Sequence, residues 1–289
     1  MRIGAVFPQL EIGGDPVDIA HWATQVEQLG YEYILVYDHV LGAGTSTRAG
    51  WRGYTSDDCF HEVFVLLGYF AALTSAVELT TGVLILPQRQ TVLVAKQAAQ
   101  VDVLSGGRMR LGIGVGWNPV EYQGLGEAFG NRGARSEEQI ELMRALWSVP
   151  TISFHGRWHQ VDEAGINPRP VRGNIPIWMG GTAESVLRRV GRLGDGWFPL
   201  RRPDDKAAAM IARIRGYAEE VGRPPTEIGI EARLTIAGQP RDNWPGYVAA
   251  WQQLGATHLC VNTMGVQFAH VDEHLAALAD AIAYVRTIT

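Results

Sequence analysis

Two adjacent polar residues with acid–base chemistry, Asp38 and His39, follow the apolar run Tyr33 to Tyr37. A histidine can donate or accept a proton near neutral pH, and an aspartate beside it can fix a loop or accept a hydrogen bond. The same pair is also common in an ordinary polar turn. The residue types therefore indicate either a reactive site at the end of a strand or simple turn chemistry.

A second unusual stretch runs from Arg110 to Tyr122, where Gly112, Gly114 and Gly116 alternate along an apolar run. Alternating glycines remove side chains from one face of a strand, so a flat molecule could lie close to the backbone. A dinucleotide fingerprint is not indicated, because Trp117 occupies the position where the turn into a helix would need glycine. Glycines of this kind also mark bulges or tight packing.

Anion binding is suggested at three places. Gly180, Gly181 and Thr182 end an apolar run and precede a helical pattern, so their amides could hold a phosphate, or the glycines could be turn residues. Arg132 and Arg135 are candidates for the same anion or for an acidic cofactor tail, and a solvated helix start is the alternative. Arg201 and Arg202 could meet an anionic substrate. His155 and His159 have no third ligand at useful spacing, so no metal site is expected.

Composition excludes several classes of function. The 289 residues carry a net charge of −5, which disfavours nucleic acid or an anionic membrane as the main partner. Cys59 and Cys260 are far apart and suit a reducing compartment as free thiols. The first residues enter a strand pattern directly, and each apolar run is interrupted before it could span a membrane. We expect a cytoplasmic protein.

The positions of these residues follow from the order of the elements. Eight strand patterns alternate with helical patterns, which predicts a single (β/α)8 TIM barrel over residues 1–289, with an open doubly wound sheet as the alternative. Polar insertions over 41–58 and 118–135 follow strands two and four, a helix is expected from Ser136, and a hairpin over 152–161. In a TIM barrel, function lies at the carboxyl ends of the strands, where the polar and glycine-rich residues fall.

Four segments resemble the luciferase-like monooxygenase superfamily, and most closely its branch that uses the deazaflavin coenzyme F420. They are Tyr37-Asp38-His39, the strand Thr81 to Pro87, the run Ser105 to Trp117, and Ile177 to Gly181. The resemblance implies a TIM barrel, usually a homodimer, with a flavin-like ring in its mouth. It implies a non-prolyl cis peptide between Gly82 and Val83, with the backbone there against one face of the ring.

The resemblance also implies roles for individual residues. It assigns Asp38 and His39 to the cofactor, with His39 near the reacting edge of the ring, and the loop at Gly180 to the phosphate region. Gly114, Val115 and Gly116 would form the floor under the ring. Some deazaflavin dehydrogenases of the superfamily carry a carboxylate where this chain has Trp117, so Trp117 is expected to wall the substrate pocket. Glu121 could replace that acid, although a surface glutamate is the expected role.

The sequence thus predicts an F420-dependent oxidoreductase that exchanges a hydride with a small organic substrate. The alternatives are a monooxygenase that uses reduced FMN, with a similar pocket around the ring, and a cofactor-binding barrel without catalytic activity.

Overall fold

The chain alternates strands and helices from its first residues to its last helix, as the computed structural model describes it over residues 1–288. The strands are β1 Arg2–Val6, β2 Tyr33–Val36, β3 Glu78–Thr81, β4 Leu84–Ile85, β5 Met109–Gly114, β6 Ile152–His155, β7 Gln160–Ala164, β8 Ile177–Gly180, β9 Gly196–Phe198, β10 Gly229–Thr235 and β11 His258–Asn262. The helices are α1 Gln9–Ile12, α2 Pro16–Gln28, α3 Val63–Leu73, α4 Thr91–Leu104, α5 Pro119–Gly124, α6 Arg132–Ser148, α7 Glu184–Leu193, α8 Asp205–Glu219, α9 Trp244–Gln253 and α10 Val271–Ile288. The domain predicted over 1–289 includes Thr289, which lies outside the described residues.

The parallel sheet closes on itself. Around the ring, β1 pairs with β2, β2 with β3, β3 and β4 with β5, and the order continues through β8, β9, β10 and β11 back to β1. The closing pairs include Leu79 with Met109 and Arg2 with His258. The (β/α)8 barrel is confirmed, and the open doubly wound sheet is excluded because the sheet has no free edge.

Local signals explain where the helices begin and end. Asp15 caps α2 by accepting from the Val17 N–H at 2.8 Å, Pro16 takes the first helical position, and Gly30 lies beyond the end with φ of +84°. The buried residues of α2 recur at intervals of three and four and pack on the barrel: Ile19, Trp22, Ala23 and Val26.

Three details differ from the sequence predictions. The third strand is broken into β3 and β4 at the Gly82–Val83 peptide, which is cis as the resemblance implied. Helix α6 begins at Arg132 and not at Ser136, whose hydroxyl instead donates to the Gly133 carbonyl inside the helix. The insertion after strand four contains the short helix α5, which was not predicted. The predicted hairpin is confirmed as β6 and β7.

The lower part of the barrel interior is filled by a charged cluster. Arg110 is 2% exposed and pairs with Glu78 at 2.5 Å and with Glu231 at 2.9 Å. Its guanidinium also lies over the rings of Tyr33 and Trp178, at 4.8 and 4.4 Å from their centroids. This cluster closes the barrel below, so a ligand can enter only from the end where the strands have their carboxyl termini.

Candidate active site

A cavity of about 730 Å³ opens at the carboxyl ends of the barrel strands. Such a volume suits a cofactor or a drug-sized ligand. The residues that line it come from all around the barrel: Leu10, Tyr37, Asp38, His39, Tyr54, Gly82, Val83, Ile85, Gly114 to Trp117, Gly180 to Ala183, Val186, Leu200, Arg233, Asn262, Met264 and Gly265. The structure therefore brings together the predicted residues of strands two, three, four and five, as the barrel geometry required.

The imidazole of His39 is oriented by a carboxylate. Its Nδ1 lies 3.2 Å from both oxygens of Glu121, and its ring lies between the rings of Tyr54 and Phe60, at 4.5 and 4.7 Å between centroids. A carboxylate can only accept, so Nδ1 carries a proton, and in the neutral tautomer Nε2 then keeps its lone pair. Nε2 has no hydrogen-bond partner within residues 1–288, and the residue faces the cavity. In the neutral imidazole, this arrangement leaves Nε2 able to accept a hydrogen bond or a proton from a ligand.

Glu121 is a buried residue, and the expectation of a surface glutamate is wrong. Its side chain is 1% exposed, and it accepts the Val40 N–H at 2.8 Å in addition to the bond from His39. Burial by itself raises the pKa of Glu121, but the hydrogen bonds and charge of His39 and the Val40 amide outweigh burial and lower that pKa. Helix α5 makes this possible, because Asn118 caps it and directs Glu121 inward.

Asp38 has a positioning role in this structure. Its two oxygens accept from the Ile85 N–H at 2.9 Å and from Arg89 at 2.7 Å, so it fixes the strand just after the cis peptide. Burial raises the pKa of Asp38, and the nearby Arg89 guanidinium acts in the opposite sense. Arg89 is held in turn by Glu62 at 2.8 Å.

The glycines at the end of β5 make room for protein as much as for a ligand. A Cβ on Gly114 would lie 2.6 Å from a Val83 methyl group, and one on Gly116 would lie 2.7 Å from Ile85. Gly112 is packed between the Thr81 carbonyl and Phe198 and does not line the cavity. Gly114 to Gly116 and Val83 line the cavity, and their role as a floor under a ring stays a prediction.

Trp117 stands at the rim, where its side chain is half exposed. Its ring lies 6.1 Å from that of His39 and 5.9 Å from that of Trp51, and it also borders an open groove under residues 50–54. The insertion over 41–58 therefore covers the site beside Trp117, consistent with a wall of the substrate pocket.

The predicted anion sites have different outcomes. Gly180 to Ala183 line the cavity directly before α7, whose first amides point to that end. Arg132 and Arg135 do not line it: Arg132 donates to the carbonyls of Gly116 and Phe129, and Arg135 binds the Pro87 carbonyl and Glu127. Both arginines hold the loop behind the glycines and lie outside this cavity, so a role toward the anion or an acidic cofactor tail stays a prediction.

Two further predictions concern residues away from the cavity. Arg201 pairs with Asp204 at 2.8 Å, and neither Arg201 nor Arg202 lines the cavity. His159 binds Glu138 at 2.7 Å and Thr91 at 2.6 Å. Over the described part of the chain, no group of three or more His, Cys, Asp or Glu side chains is arranged to hold a metal ion. Within residues 1–288, no helix is both long and apolar enough to cross a membrane.

Several cavity residues were missed from the sequence, and Arg233 is the charged one among them. It lies on β10, three strands from the glycines of β5 around the barrel, and over the Tyr37 ring at 5.0 Å from its centroid. The signal was present in the alternation of Glu231, Arg233 and Thr235, which places three polar side chains on the inner face of one strand.

The family model for luciferase-like monooxygenases matches residues 4–286. The chain belongs to this family. Its members are oxidoreductases, and they include proteins that use F420 and proteins that use FMN.

Individual relatives are similar over most of the barrel. An uncharacterized protein of Mycobacterium tuberculosis is 34% identical over 215 residues, 72% of this chain and 74% of that protein. The F420-dependent hydroxymycolic acid dehydrogenase of the same species is 31% identical over 222 residues, 75% and 57% of the two chains. The pyrimidine monooxygenase RutA of Allorhizobium ampelinum is 33% identical over 185 residues, 60% and 50% of the two chains.

A solved structure has the same fold. The F420-dependent secondary alcohol dehydrogenase in complex with an F420–acetone adduct superposes with a TM-score of 0.76 over 96% of this chain and 97% of that one. Its sequence identity is 16%, so the likeness concerns the barrel architecture alone.

Proposed function

We propose that the protein is an F420-dependent oxidoreductase that exchanges a hydride between the deazaflavin and a small organic substrate. The observation that carries the proposal is the pair of Glu121 and His39, in which the free Nε2 of the imidazole faces the cavity. A dehydrogenase needs such a group to take the proton of a hydroxyl as the hydride leaves its carbon. The similarity to an F420-dependent dehydrogenase supports the choice of cofactor.

The residues present fit the cofactor. The cavity volume is sufficient for a tricyclic ring and a side chain, and Gly114 to Gly116 with Val83 offer a surface without large side chains. The amides before α7, at Gly181 to Ala183, would hold the phosphate end. When bound, the deazaflavin would supply or accept the hydride.

The chain's own side chains would then perform the proton transfer. In the oxidative direction, His39 Nε2 takes the hydroxyl proton as the carbonyl forms, and Glu121 stabilises the resulting imidazolium. In the reductive direction, the protonated imidazole returns that proton to the new alkoxide oxygen. Trp117 and Tyr54 would keep water away from the reacting carbon.

A binding titration tests the cofactor. Purified protein is titrated with F420, FMN and NADPH, and the quenching of tryptophan fluorescence is followed. We expect tight binding of F420 only. Tight FMN binding without F420 binding would overturn the proposal in favour of the flavin monooxygenase, which the similarity to RutA keeps as the second candidate.

A turnover assay tests the chemistry and separates it from a barrel that only binds the cofactor. Wild-type protein is assayed with F420 and a panel of secondary alcohols, and with reduced F420 and the matching ketones. Replacing His39 with alanine should lower turnover on the order of 10² to 10⁴-fold while F420 still binds. Equal rates in the variant and the wild type would remove the catalytic role of His39.

A further inference from the structure

Arg233 is a cation with no directly bound counterion within residues 1–288. Its guanidinium makes no hydrogen bond and no ion pair within the described chain, and its buried Nε has no acceptor. Four other buried or half-buried arginines are each paired with a carboxylate at 3.1 Å or less: Arg89, Arg110, Arg135 and Arg189. An unpaired guanidinium in a partly buried site is costly unless something else neutralises it.

The acid nearest along the strand forms no direct ion pair with Arg233. Glu231 lies two residues earlier on β10, and its Oε2 pairs with Arg110 at 2.9 Å in the layer below the cavity, so Glu231 acts on Arg233 only through its charge. Arg233 lies on the same inward face of β10 as Glu231, two residues closer to the carboxyl end of the strand, where it lines the cavity. Its charge is therefore available to a ligand that enters the cavity.

Two neighbouring polar groups are also donors. The Oδ1 of Asn262 accepts the Met264 N–H at 3.0 Å, so the amide nitrogen of Asn262 is left to donate, and it has no partner within residues 1–288. Burial raises the pKa of Tyr37 to about 12, so its phenol is protonated at neutral pH, and its hydroxyl has no acceptor in the described chain. Each of the three groups can therefore offer an N–H or O–H donor to a ligand.

The donor set and the candidate base meet at the end of the second strand. Tyr37 and His39 lie two positions apart there and both line the cavity, and Arg233 lies over the Tyr37 ring, 5.0 Å from its centroid. The Tyr54 ring lies 4.5 Å from that of His39. A ligand group bound by Arg233 would leave the rest of a small molecule next to His39.

We propose that Arg233, with Tyr37 and Asn262, binds an anionic group of the substrate, most simply a carboxylate, and so selects acidic substrates. This inference rests on the proposed function for the existence of a substrate, and it assigns that substrate's chemical class. A guanidinium and a carboxylate form two parallel hydrogen bonds, which fix orientation as well as charge.

The test compares two probes of the same shape and different charge. Benzoate and benzamide are titrated calorimetrically into the apoprotein and into the protein loaded with F420. We expect benzoate to bind roughly ten- to a hundredfold more tightly than benzamide. The Arg233→Met variant should lose that preference, Arg233→Lys should keep part of it, and Arg201→Met, at an ion pair outside the cavity, should keep all of it.

The cofactor titration distinguishes the two ways of failing. If Arg233→Met weakens F420 binding and leaves the benzoate preference unchanged, Arg233 serves the cofactor and the inference is overturned. Equal binding of the two probes to wild-type protein also overturns it, with no variant needed. If F420 does not bind at all but the apoprotein prefers benzoate through Arg233, the anion site stands and the proposed function fails.

Discussion

Glu121 and His39 are joined across 82 positions of sequence by a hydrogen bond from the imidazole Nδ1 to both carboxylate oxygens, 3.2 Å each. In the proposed reaction Glu121 would be a positioning residue, because it would act on substrate only through the imidazole. A buried carboxylate in this position selects the tautomer and stabilises the imidazolium once a proton has been taken.

The first prediction concerns this tautomer. The Glu121→Gln variant presents an amide whose NH2 can donate to Nδ1, so we expect the proton of the neutral imidazole to move to Nε2. The ¹⁵N chemical shifts of the His39 ring nitrogens, measured by NMR, report the change without any substrate. Turnover should fall on the order of ten- to a hundredfold, with an altered pH profile. Glu127→Gln, outside the cavity, is the control, and unchanged ring shifts in Glu121→Gln would contradict the prediction.

The buried position of Glu121 also shows which parts of the fold and the site could be predicted from the sequence and which could not. The order of strands and helices predicts the barrel and places Asp38, His39 and the glycines at one end of it, because parallel strands share a direction. Glu121 falls in a glycine-rich insertion that has no obvious periodicity. The Asn118-Pro119 pair was the available signal, since asparagine as a cap and proline at the first position are typical of a helix start.

Charges inside the barrel were harder to predict for a different reason. Arg110, Glu231 and Arg233 interrupt strands that otherwise look apolar, and only the period of two shows that they face inward. Whether an inward arginine is paired depends on strands far away in sequence, as for Arg110 with Glu231. The partner of an inward arginine depends on the register of the strands and on contacts across the barrel. The sequence of a single strand shows neither of these.

A second prediction concerns the oligomer, which the resemblance implied and which stays a prediction. The side chains of Val65 on α3 and of Val92 and Leu93 on α4 are exposed apolar groups, at 73%, 43% and 51%. We infer that this surface lies in a homodimer interface. The Val65→Glu variant should sediment as a monomer at concentrations where the wild type is a dimer, because a charge would be buried without a partner. Val221→Glu, at the end of α8, is the matched control.

If the wild type itself sediments as a monomer, the dimer is wrong. If Val65→Glu remains dimeric, the interface lies elsewhere on the surface.

The third prediction uses the pH dependence of stability. Burial, with Arg110 and Arg2 nearby, lowers the pKa of His258 from 6.5 to about 2. The unfolded chain therefore binds a proton that the folded chain does not, so the free energy of unfolding falls as pH decreases below 6.5. The slope from this residue is up to about 1.4 kcal/mol per pH unit. Urea unfolding of His258→Gln at pH 7 and pH 5.5 should show a shallower loss than the wild type.

The control for that measurement is His155→Gln, because His155 lies exposed on the hairpin. Parallel slopes for wild type and His258→Gln between the two pH values would mean that His258 is protonated in the folded state.

The fourth prediction tests why the glycines of β5 are glycines. A methyl group on Gly114 would lie 2.6 Å from Val83 Cγ2, so Gly114→Ala should lower the free energy of unfolding by about 1 to 3 kcal/mol through overpacking. Val83→Ala removes the opposing methyl groups, and the double variant should recover part of the loss. Denaturant unfolding of the four proteins in the cycle gives the coupling energy. Additive losses would show that Val83 is not the obstacle.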